Sequence, residues 1–108
     1  MDNAEFRQLA DQLILHVEQK LDSIEGDADI DCENDGSTMT LTFKSDKQNK
    51  IVITRHEDTR QIGLATKTNS YHFDYTNGSW IDARSKKSFL TLLSEAATVQ
   101  AGQEINFN

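Results

Sequence analysis

Proline is absent from this 108-residue chain, cysteine occurs once, and Lys and Arg are nearly missing from its first third. Each scarcity excludes something. At an average usage of about 5%, proline would appear about five times; without it, turns fall to Asp35-Gly36 and Asn77-Gly78. Cys32 has no partner for an internal disulfide, so nothing points to an oxidising compartment. No apolar run approaches the roughly 18 residues a membrane helix needs. The start, MDNAEFRQLA, is acidic and enters a helical pattern at once, so neither a signal nor a transit peptide is expected, and the expected location is the cytoplasm. A sequence pI near 4.8 argues against nucleic acid, which needs a basic footprint.

What the chain does have is negative charge, unevenly placed. Eleven of its 18 acidic residues lie in the first 35 positions, facing only Arg7 and Lys20. The remaining 73 residues carry seven acids and nine bases, so the net charge of −7 is an N-terminal property. Such an asymmetry points to recognition of something positive, a cation or a basic protein face.

The pattern of apolar residues gives the elements. Phe6, Leu9, Ala10, Leu13, Ile14, Val17, Leu21 and Ile24 recur at three- and four-residue spacing, which predicts an amphipathic helix over 3–24. Asp2 and Glu5 resemble a capping box, and Gly26 can end the helix. Asp11, Glu18, Asp22 and Glu25 then form one acidic stripe. From Asp27 the period becomes 2: Asp27, Asp29, Asp31 and Glu33 alternate with Ala28, Ile30 and Cys32, giving an acidic strand face over a buried one. Further strands are predicted over 38–43, 51–55, 61–67, 71–75 and 79–83. Ser85 is the expected cap of a closing helix buried through Phe89, Leu92, Leu93 and Ala96, and Ile105 and Phe107 are expected to pack back onto the core. The order predicts a single α+β domain over 1–108, a two-layer sandwich with both helices on one face of an antiparallel sheet of five to six strands.

Carboxylates are hard ligands suited to Fe²⁺, Fe³⁺, Mn²⁺, Ca²⁺ or Mg²⁺. Glu18, Asp22 and Glu25 are one turn apart, with Cβ atoms about 5–6 Å from one another, so two of them can share an ion. Strand acids on one face are about 6.6 Å apart, too far for three to enclose one ion. Open, water-rich and weak sites follow, with Asp11, Glu18, Asp22, Glu25, Asp27, Asp29, Asp31 and Glu33 as candidate ligands. An EF-hand is excluded, because its sixth position would be Cys32 and its twelfth Thr38. The bland reading is a solvated acidic face; the near absence of interleaved bases counts against it. His16 reads as a boundary residue, His56 as a strand-end loop residue, His72 as outward-facing, Cys32 as a small buried hydrophobe and Trp80 as core. No nucleophile elbow, phosphate loop or zinc spacing is present, and no Glu-x-x-His pair supports a ferroxidase centre.

EFRQLADQL at 5–13, GDADIDCE at 26–33, LATK at 64–67, YHFD at 71–74 and AATVQAG at 96–102 together resemble the bacterial frataxins, over essentially the whole length. The resemblance implies two helices on an antiparallel sheet and an iron-binding regulator of iron–sulfur cluster assembly, without enzymatic activity of its own. It implies weak, reversible binding of Fe²⁺ or Fe³⁺, with other divalent cations possible, and docking on a cysteine desulfurase and a cluster scaffold protein. A mainly monomeric chain with iron-dependent oligomers is expected, and the partner-binding residues implied are Glu18, Asp22, Thr54, Arg55, Gln61 and Gly63. The other reading is an acidic protein-docking module whose metal binding is incidental. The chain departs from the frataxin pattern at Gly63, usually tryptophan, at Thr54, usually asparagine, and at Asp58, usually proline. Gln19 and Ser23 stand where relatives often pair their acids, and the 44–50 loop is slightly long.

Overall fold

The computed structural model describes residues 2–23, 30–43, 49–102 and 104–107. Helix α1, Asn3–Ser23, buries Phe6, Ala10, Leu13, Ile14 and Val17, the stripe its periodicity predicts. Its first turn is capped by Asp2, whose Oδ1 accepts from the Glu5 amide at 2.8 Å. The predicted helix end at Ile24 and Gly26 lies outside the described residues.

Six strands follow: β1 Ile30–Asn34, β2 Thr38–Phe43, β3 Lys50–His56, β4 Gln61–Ala65, β5 Ser70–Thr76 and β6 Ser79–Asp82. They pair in chain order, each antiparallel to the next, as one open meander. Because side chains alternate, the register sorts the sheet into two faces. Met39, Leu41, Phe43, Ile51, Ile53, Ile62, Leu64, Phe73 and Trp80 form the buried inner face, in one core with both helices. Phe6 of α1 meets Trp80 edge-on at 5.9 Å, and Phe73 meets Phe89 of the closing helix edge-on at 5.2 Å. The β5–β6 turn is a two-residue loop with Asn77 at φ 51° and Gly78 at φ 83°, the left-handed pair a tight hairpin requires.

The closing helix α2, Phe89–Ala101, is capped by Ser88 rather than Ser85. Ser88 Oγ accepts from the Thr91 amide at 3.2 Å. Ser85 serves the preceding turn instead: its amide and hydroxyl both donate to Asp82 Oδ2, at 3.0 and 2.7 Å. Lys86 then takes φ 64°, which interrupts any helix begun at Ser85. Asp82 is 3% exposed. Burial opposes its ionisation, yet the Ser85 hydroxyl and the amides of Ser85 and Arg84 outweigh burial and hold the carboxyl below its usual range.

Side-chain hydrogen bonds tie the start of β3 and the C-terminal tail into the fold. Asn49 is buried and donates from Nδ2 to the Gln100 carbonyl at 2.7 Å, fastening the start of β3 to the end of α2. Past α2, Ile105 and Phe107 are buried as expected. Thr98 Oγ1 accepts from the Ile105 amide and donates to its carbonyl, while Ser94 Oγ accepts from the Phe107 amide at 2.8 Å. His16 Nε2 lies 2.7 Å from the Phe107 carbonyl, which anchors the tail to α1 as well.

Edge strand β1 departs from expectation. Only Ile30 is even half-buried, and Cys32 is exposed rather than a core residue. The register puts Cys32 opposite Leu41, on the inner side. The charges of the helix carboxylates Glu18 and Asp22 reach the Cys32 thiol on that side.

Candidate functional site

Two acidic groups converge on the β1 edge from opposite sides. Cys32 projects toward α1, and its thiol is pushed up by partial burial first, then by the charges of Glu18 and Asp22. The last turns of the helix stripe therefore lie beside β1. Asp31 and Glu33 pair with Thr42 and Thr40 and so project from the outer face. Glu18, Asp22, Asp31 and Glu33 are all exposed. Glu25, Asp27 and Asp29, the connection between the two groups, lie outside the described residues. Among the described residues, no cluster of three or more His, Cys, Asp or Glu is spaced to hold a metal ion. Glu18 and Asp22, one helical turn apart, remain able to share a cation whose other ligands are water.

Asp11 is placed apart from this edge. Its Oδ1 takes an ion pair from Arg55 Nη1, an arginine whose side chain is 16% exposed while that of Asp11 is 67% exposed. Nearby, Arg7 grips Glu57 through two bonds of 2.9 and 3.1 Å. That bond and the Arg7 charge hold the Glu57 carboxyl below its usual range, and Glu57 raises Arg7 in turn. The pairs clasp α1 to β3 and its following turn.

The sheet residues read as one partner surface divide between the faces. Thr54 pairs with Gly63, and Gln61 occupies the next outward position of β4, so these three share the outer face. Arg55 pairs with the buried Ile62 and points inward to Asp11, which removes it from that surface. Gln61 Nε2 donates to Oδ1 of Asp74 on the adjacent strand β5 at 3.0 Å. His56 belongs to β3, opposite Gln61, instead of a loop. His72 faces outward as predicted and pairs with Gly63. The two imidazoles, from strands on either side of β4, meet with ring centroids 5.4 Å apart. Sequence reasoning missed this pair because it assigned His56 to a loop; the available signal was the empty side-chain position at Gly63 between them.

A six-stranded antiparallel meander backed by two terminal helices, with carboxylates gathered at the α1–β1 edge, is the α+β frataxin fold. A family model described as the frataxin-like domain matches residues 1–103. Among solved structures, the chain is similar to a frataxin from Psychromonas ingrahamii studied for stability within the CyaY family. That match has 41% identity and a TM-score of 0.89, covering 100% of this chain and 99% of the other. Trimeric yeast frataxin from Saccharomyces cerevisiae, complexed with ferrous iron, shares the fold at 24% identity and a TM-score of 0.72, over 88% and 87% of the two chains. The chain belongs to the frataxin-like family, whose members are iron-binding proteins of iron–sulfur cluster assembly. No helix among the described residues is long and apolar enough to cross a membrane.

Proposed function

We propose that this protein is a cytoplasmic regulator of iron–sulfur cluster assembly that carries iron weakly on the α1–β1 acidic edge and docks that edge on a basic face of a cysteine desulfurase. What supports the reading is the exposure of Glu18 and Asp22 on α1 and of Asp31 and Glu33 on β1, with the charges of both helix carboxylates felt at Cys32 between the two strand acids. Iron is cargo here. Two hard carboxylates one turn apart supply part of an oxygen shell and water the rest, which favours rapid exchange over tight storage. Asp31 and Glu33, with Glu25, Asp27 and Asp29 in the connecting segment, extend the negative field along which cations and a basic partner are drawn. Asp11, neutralised by Arg55, contributes least.

Docking through these charges is fast at low salt and weakens as salt screens them. The outer-face residues Thr54, Gln61 and Gly63 form a second contact, toward the scaffold protein. The protein acts by changing its partner's rate and carries no catalytic group of its own. It is mainly a monomer, with oligomers forming as iron accumulates.

Anaerobic titration of the metal-free protein with Fe²⁺, followed by amide NMR, tests the iron site. Shifts or broadening confined to residues 18–33 are expected; an unperturbed edge at millimolar iron refutes iron carriage. A further reading makes docking the primary role and metal binding incidental, and the exposure of Glu18, Asp22, Asp31 and Glu33 to a basic partner supports it. Desulfurase binding measured in chelator, then with iron restored, separates the two: regulation that ignores iron supports docking alone.

A further inference from the structure

Gly63 stands on the outer sheet face, yet it is buried. The His56 imidazole lies over it. A Cβ at position 63 would lie 2.7 Å from His56 Nε2 and 3.2 Å from His56 Cδ2. The His56 ring therefore occupies the space that any side chain at this position would claim. His72, directly opposite Gly63 on β5, brings its ring against that of His56, with 41° between the ring planes. Side chains on β3 and β5 are normally separated by the intervening strand, about 10 Å across two strand spacings. Here the missing side chain lets them meet.

We propose that His56 and His72 form a binding site for a borderline divalent cation such as Zn²⁺, separate from the acidic edge. Two imidazoles on one tetrahedral ion, with metal–nitrogen bonds of about 2.0–2.1 Å, place their ring centroids about 5 Å apart. The observed 5.4 Å is close to that separation without movement of either strand. Neutral imidazole prefers ions of the Zn²⁺, Cu²⁺ and Ni²⁺ type, whereas the carboxylates at the edge suit hard cations. The two sites thus differ in the ions they select. The site supplies two protein nitrogens, and water fills the remaining positions. It lies on the same face as Thr54 and Gln61, so an ion held there changes the charge of the outer face by up to two units. His16 lies apart from the pair, on α1, with its Nε2 at the Phe107 carbonyl.

The test uses the full chain and Zn²⁺ alone, read by calorimetry and by side-chain NMR of the three histidines. The site predicts saturation at one ion, with the His56 and His72 signals moving together and His16 unmoved. His72→Ala alters an exposed side chain, so it leaves the fold intact while weakening Zn²⁺ binding by about tenfold or more, the scale on which even outer-shell partners change metal affinity. Gly63→Val keeps both imidazoles but drives the His56 ring aside, and it weakens binding to a similar extent. Glu18→Gln with Asp22→Gln leaves this binding unchanged, which separates it from the acidic edge. Unaltered Zn²⁺ affinity in His72→Ala and Gly63→Val, or histidine signals that stay fixed while carboxylate-rich segments respond, overturns the proposal. In that case the rings only pack against each other above the glycine.

Discussion

Replacing Asp82 with asparagine tests whether a buried carboxylate at the end of β6 stabilises the fold or burdens it. Two terms oppose each other. Asp82 accepts from the amide and hydroxyl of Ser85 through one oxygen, Oδ2. Bonds to a charged acceptor contribute about 1.5–3 kcal/mol each, against about 0.5–1.5 for neutral ones, so the carboxamide loses about 2–3 kcal/mol over the two. Relief of a buried charge returns part of this. The net lowering of the Asp82 carboxyl shows that its hydrogen bonds outweigh burial in the native state. Asp82→Asn is therefore destabilising by about 1–2 kcal/mol at pH 7, allowing for that return, which lowers Tm by roughly 5–15 °C in a domain of this size.

The pH dependence follows from the sign of that shift. A carboxyl held below its ordinary value binds fewer protons in the native state than in the unfolded chain, where it titrates near pH 4. Its stabilisation is complete above that value and disappears as the pH falls through the lower native one. Urea unfolding of both proteins from pH 7 downward should thus show a constant gap that closes only in acid. Subtracting the two curves cancels Asp35 and Glu57, which are also held below their usual range. An asparagine variant as stable as the parent at pH 7, or a gap that persists through acid, refutes the argument.

Three further outcomes are expected. Neutralising Glu18 and Asp22 to glutamine lowers the Cys32 thiol toward its ordinary value and speeds its alkylation at fixed pH, since both charges push it up; an unchanged alkylation profile means the helix end and β1 are not neighbours. Phe107→Ala removes a fully buried ring and costs about 3–5 kcal/mol in urea unfolding; a loss under about 1 kcal/mol would show the tail adds little to the core. Asp11→Asn, which breaks an ion pair whose acidic side chain is 67% exposed, costs no more than about 1 kcal/mol and leaves the fold intact; a larger loss would show the clasp between α1 and β3 to be structural.

The elements that were legible in the sequence are those whose burial repeats along the chain. The α1 stripe and the alternation of Met39, Leu41 and Phe43 are local signals: the structure buries Phe6, Ala10, Leu13, Ile14 and Val17 of the stripe and all three strand residues, while Leu9 and Leu21 are half-buried at its margins. Ser85 misled because it has the chemistry of a helix cap, and only the buried Asp82 three residues earlier shows that its hydroxyl is already committed. Cys32 misled for a different reason. Its alternation with acids is real, but alternation says which side a residue faces and not whether anything apolar covers that side. At this edge strand, within reach of the charges of Glu18 and Asp22, Cys32 stays exposed.

The same limit explains how the two candidate sites differ in legibility. The acidic edge is written in composition, because eleven carboxylates in the first 35 residues must crowd some surface however the chain folds. The imidazole pair is written in a vacancy. His56 and His72 are sixteen positions apart, on strands that do not pair with each other, and neither is unusual alone. What joins them is Gly63, where the frataxins it resembles usually carry tryptophan. A large side chain there would cover its own backbone and hold the flanking rings apart. Its loss leaves buried backbone that something must cover, and the two neighbours that lean in are both imidazoles. A departure from the family pattern thus changes the chemistry of the outer face from a single aromatic side chain to a pair of nitrogen donors.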